Sequence, residues 1–177
     1  MITRQETLSF LNEHQPMPSD KELRKEEIEK YEEVRKYFLD NLDEQCIPLF
    51  LNSFGGKDGF GVYQMVEDVI TMYDKEVVLP HILNTFNSMS EGIIYWGVQI
   101  ASNFPDHRLY DPLVKLLEYE DEDIKLASIT TLAQLALNDI RTNDILNVLK
   151  AETERIYDEE MKDFIEEILE DIQNSTQ

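Results

Sequence analysis

Apolar residues recur along most of this chain three and four positions apart, the spacing of one helical face, and seldom alternate as a strand requires. Near the start, Thr3 stands three places before Glu6, the spacing of a reciprocal helix cap, and Leu8, Phe10 and Leu11 follow, so residues 1–13 are expected to hold a short helix. The prolines of HQPMP (14–18) turn the chain, because each pushes the residue before it out of helical space. Ser19 and Glu22 repeat the capping spacing, and a long helix is expected from Asp20 to Leu42, with Leu23, Ile28, Tyr31, Val34, Phe38 and Leu42 on one side and charge elsewhere. Such a helix suits the open end of a helical array.

From Cys46 onward the pattern repeats. Pro48, Pro80 and Pro112 stand 32 apart, the next interval reaches Asp144, and each position is expected in a first helical turn, where a missing amide costs nothing. Short apolar helices follow in PLFLNSF, PHILNTF, PLVKLL and DILNVLK. Second helices are expected to start at Val62, Ile93 and Ile124, 31 apart, each with a core stripe at helical spacing. The stripes are Met65, Val66, Val69, Ile70 and Tyr73; then Trp96, Gly97, Ile100, Ala101 and Phe104; then Ala127, Ser128, Thr131, Leu132 and Leu135. A fourth copy, after a longer connection, runs from Met161 through Phe164, Ile165, Ile168, Leu169 and Ile172. None of these units can bury its stripes alone, so they need neighbours.

The clearest unit, Asp111 to Leu135, carries Ile124-Lys125-x-Ala127 with Leu132 and Leu135 after a Pro-led helix and an acidic turn, and it resembles a HEAT-type repeat of the short bacterial kind. Tyr63 and Ile94 replace the basic residue in the earlier copies, and the resemblance covers roughly residues 46–173. It implies an all-α chain, a right-handed superhelix of about four HEAT-like helical hairpins with an N-terminal helical cap. The expected organisation is a cap over 1–44 and a repeat array over 45–177 in one compact domain.

Composition narrows the partners. The 177 residues include 37 acids and 16 bases, a net charge of −21, which disfavours nucleic acid and anionic membranes and favours a basic partner. With one cysteine, Cys46, no long apolar run and no basic-then-apolar start, the chain is expected to be cytoplasmic and monomeric. Residues 118–177 alone carry a net charge of −12.

Candidate chemistry has a structural alternative at every point. GGKDGFG (55–61) holds four of six glycines, yet it lacks phosphate-loop spacing and falls where a turn is needed. EYEDED (118–123) lacks the calcium-loop alternation and is expected to cap the helix at Ile124. His14, His81 and His107 are dispersed, so no metal, cofactor or catalytic residues are expected. Trp96 is read as packed beside Gly97 rather than as a base-stacking residue.

The face of the second helices opposite the core stripe would line a groove. Its candidate partner-binding residues are Glu67, Asp68, Tyr95, Gln99, Asp163, Glu166, Glu167 and Glu170, while Val98 and Ile129 fit either this face or a contact between helices. The resemblance and the charge together imply a non-enzymatic protein-binding module, in its sharpest form an acidic immunity or inhibitor protein that neutralises a basic toxin. Alternatives are an enzyme-like HEAT protein of the bilin-lyase or nucleic-acid glycosylase type, and a plain assembly scaffold.

Overall fold

The computed structural model describes residues 2–56 and 58–175. Among the described residues the chain is all-helical, with ten α-helices and no strand, as the spacing of its apolar residues predicts. It divides into two compact units, Met1–Ile100 and Ala101–Gln177.

In the first unit, α1 (Arg4–Glu13) begins on the expected cap: Thr3 Oγ1 accepts the Glu6 amide at 3.3 Å and the Glu6 carboxylate accepts the Thr3 amide at 2.8 Å. The next helix, α2 (Lys25–Asp40), starts later than Ser19 and Glu22 suggest. Those two side chains are hydrogen bonded, but the Glu22 and Leu23 amides both return to the Ser19 carbonyl and close a separate turn. Glu27 supplies the cap instead, its carboxylate accepting the Arg24 amide at 2.8 Å. Tyr31, Val34 and Phe38 form the buried stripe of α2, whereas Leu42 lies past the helix end and is exposed.

α1 packs on α2 and on α3 (Cys46–Leu51), α3 packs on α5 (Lys75–Thr85), and α2 packs on α4 (Val66–Ile70). Edge-on rings fill the space between them: Tyr31 lies 5.8 Å from Phe50 and 5.7 Å from Tyr63, and Phe54 lies 5.6 Å from Tyr63. Burying each such side chain is worth about 1.5–3 kcal/mol. α6 (Glu91–Ala101) lies so close to α5 that a Cβ on Gly97 would overlap the Thr85 hydroxyl, the close approach its missing side chain predicts.

Two expectations fail in this unit. The helix expected from Val62 begins at Val66, because Gly59, Phe60 and Gly61 all take positive φ and Val62 to Met65 form turns with three-residue hydrogen bonds. Met65 therefore leaves the core stripe and is 42% exposed. Pro80 sits in the interior of α5, which starts from the Asp74 cap, so only Pro48 and Pro112 occupy first turns.

The second unit is organised around α8 (Glu122–Leu137), against which α7 (Tyr110–Leu116), α9 (Thr142–Arg155) and α10 (Glu159–Ser175) all pack. Asp121 accepts the Ile124 amide at 2.9 Å, so the acidic run caps this helix. α8 buries its expected stripe together with Ile129 and Ala133 on the other side, which makes it a core helix. In α10 the buried residues are Met161, Ile165, Leu169 and Ile172. No helix among the described residues is long and apolar enough to cross a membrane.

Candidate partner-binding faces and a cleft in the second unit

Four of the eight candidate residues lie in the first unit. On α4, Glu67 is half-buried and Asp68 is exposed, with its carboxylate 3.5 Å from the buried Arg35 guanidinium. Arg35 grips Glu32 with two hydrogen bonds of 2.7 and 2.9 Å, so Asp68 is a peripheral member of a structural ion cluster. On α6, Gln99 Nε2 donates to the Tyr95 hydroxyl at 3.0 Å, and the Tyr95 ring stands edge-on to Trp96 at 5.2 Å. Trp96 also meets Phe54 at 5.8 Å and Tyr63 at 6.3 Å, the packed role expected of it. Val98, which fitted either face, is buried.

The other four, Asp163, Glu166, Glu167 and Glu170, share one exposed face of α10 in the second unit. None of them forms an ion pair among the described residues. The one base of this helix, Lys162, bonds Glu159 at 2.9 Å. This face is therefore a cluster of carboxylates with no close ion pair, reached only at longer range by Lys162, which interacts with Glu166.

The remaining sequence candidates have structural roles. In the glycine segment the Gly59 amide donates to Asp20 at 3.1 Å and the Gly59 backbone packs on the Tyr63 ring, while Lys57 lies outside the described residues. Burial pushes the Tyr63 phenol up to about 12. Cys46 is buried, with its sulfur 3.4 Å from the Tyr73 hydroxyl, and burial pushes its thiol up to about 12, so it stays protonated at neutral pH. His14 stacks on Phe10 at 4.2 Å and its Nδ1 lies 2.7 Å from the Phe10 carbonyl oxygen.

The structure also shows a site absent from the sequence candidates. A cleft of about 430 Å³ opens where the end of α9 and its connection to α10 meet the start of α8, with Lys125, Glu152, Arg155, Tyr157 and Asp158 among its lining residues. Asp158 is committed to capping α10, accepting the Met161 amide at 2.8 Å. Glu152 is only 8% exposed, and among the described residues its ion pair is with Arg155, whose Nη1 lies 3.9 Å away. The signal for Glu152 was in the sequence. It extends the Ile145 and Leu149 stripe of α9 by one helical step and so places a carboxylate on an apolar face.

Neither a family model nor a curated protein matches this chain.

Proposed function

We propose that this chain is a non-enzymatic protein-binding module that engages a basic protein partner through the acidic face of α10, in the manner of an immunity or inhibitor protein. The helix pairs α3–α4, α5–α6, α7–α8 and α9–α10, following α1 and α2, form four HEAT-like hairpins of a right-handed superhelix with an N-terminal cap in this reading. The observation that carries it is the set of exposed carboxylates at Asp163, Glu166, Glu167 and Glu170, which lack any ion pair among the described residues. Exposed charge of one sign costs helix stability when left alone and speeds encounter with an opposite charge.

The test is affinity capture from the source cells, followed by binding kinetics of the identified partner at rising salt. A basic partner is expected, with association slowing steeply as the Debye length falls below ~10 Å. Changing Glu166, Glu167 and Glu170 together to lysine should slow association with little effect on dissociation. An acidic partner, or one indifferent to both salt and the reversals, would overturn the proposal.

A further inference from the structure

We propose that the cleft beside Glu152 is a socket for an arginine side chain of the basic protein partner, an inference that rests on the binding role above. Glu152 is the reason. Its side chain is nine-tenths buried, yet no described residue donates a hydrogen bond to its carboxylate. It also lies in the last turn of α9, where the exposed carbonyls already make the potential negative. Its stem is buried while the carboxylate lines the cleft without a hydrogen-bond donor, so a cation that brings donors can bind there. Arg155 does not supply them: its Nη1 stops 3.9 Å away, beyond hydrogen-bond reach, on a side chain that is 72% exposed.

The surroundings select the guest. A cleft of about 430 Å³ has room for one long side chain, and it falls within the range of about 300–1,000 Å³ found for ligand pockets. Met161 offers an apolar wall for an aliphatic stem, and the Tyr157 ring, 96% exposed, is open for stacking. A flat guanidinium fits both: it forks onto a carboxylate, stacks on an aromatic face and is more weakly hydrated than an ammonium. Lys125 and Arg155 also line the cleft, but three carboxylates, Glu122, Glu152 and Asp158, outnumber them, so an anionic guest is disfavoured. An arginine guest would take the place beside Glu152 that Arg155 leaves incompletely filled.

The experiment follows the backbone amide spectrum of the full chain during titration with acetyl-arginine amide. Its neutral isostere, acetyl-citrulline amide, is the control, and an arginine-rich decapeptide is titrated in parallel. Acetyl-arginine amide is expected to give saturable shifts at residues 152–158 and at Lys125, and the citrulline compound none. Glu152→Gln should weaken binding at least about tenfold, as loss of a buried charge partner does. Tyr157→Ala, at an exposed position that the fold does not need, should weaken it about threefold, as loss of an exposed cation–π contact does. Shifts confined to α10, or affinities unchanged in both variants, overturn the socket. If the decapeptide still binds with steep salt dependence and the α10 lysine reversals abolish that binding, the socket fails alone and the broader reading stands. If neither probe binds even at low salt, both fail.

Discussion

α2 and α10 are nearly equal in length, 16 and 17 residues, and each turns one apolar stripe inward, yet their outer faces are built on opposite plans. α2 interleaves acids with bases at helical spacing. Lys25 pairs with Glu29, Lys30 with Glu33, and Arg35 and Lys36 both with Glu32. α10 carries seven acids and one base, so Asp163–Glu167, Glu166–Glu170 and Glu167–Asp171 are like-charged neighbours four residues apart. Each such neighbour is worth a few tenths of a kcal/mol against the helix, about what each α2 pair contributes in favour. The comparison separates two versions of the same amphipathic pattern: α2 pairs most of its charge with nearby residues, and α10 leaves most of its charge exposed and unpaired among the described residues.

The largest effects should come from the stripes, not the charges. Ile165→Ala in α10 and Phe38→Ala in α2 each remove a fully buried side chain, and each should cost about 2–5 kcal/mol in chemical denaturation. By contrast, the lysine reversals at Glu166, Glu167 and Glu170 should shift stability by less than about 1 kcal/mol, since exposed pairs contribute little. If the reversals unfold the protein as Ile165→Ala does, the α10 face is structural and the comparison with α2 collapses.

How much of this was legible in the sequence depended on where local signals and tertiary packing agreed. α8 buries its whole expected stripe, and α10 buries Met161, Ile165, Leu169 and Ile172 of its own while Phe164 and Ile168 stay half-buried; Asp121 and Asp158 cap the two helices. The first repeat did not read so directly. Its glycines bracket Phe60 in a left-handed stretch, which consumes the first turn of the expected helix and moves Met65 into solvent. Pro80 kept the repeat spacing while Asp74 set an earlier helix start. The acidic α10 face could be counted along the sequence, since exposure on a helix follows from period alone. The cleft could not, because it joins the start of α8 to the end of α9, and only the out-of-place carboxylate of Glu152 hinted at it.

A smaller effect separates the two helices in acid. Glu27 is held at about 2, below its ordinary 4.5, chiefly by its hydrogen bond with the Arg24 side chain and then by the Arg24 amide. Glu32 is lowered as well, mainly by Arg35. A carboxylate with a depressed folded value contributes stability above its unfolded value and loses it as pH falls toward the folded one. The first turn of α2 should therefore loosen as pH falls from about 4.5 to about 2. Carboxyl-resolved NMR should place the Glu27 midpoint near 2, and Glu27→Gln should remove the loosening; an ordinary midpoint would mean that the Arg24 contact is not held in solution.

The smallest effect is the sharpest test of the comparison, because it has opposite signs in the two helices at constant pH. Raising sodium chloride from ~0.1 M to ~1 M shortens the Debye length from about 10 Å to about 3 Å and screens attraction and repulsion alike. In α2 the screened terms are mostly favourable ion pairs, so its amides should exchange with solvent faster. In α10 the screened terms are mostly unfavourable, so its amides should exchange more slowly. The expected change is a few tenths of a kcal/mol in each direction, within reach of amide exchange followed residue by residue. A general salt effect on burial would move both helices the same way, so the difference between them isolates the charge term. If α10 gains no protection relative to α2, its carboxylates are already neutralised in the free protein and the electrostatic case for a basic partner is lost.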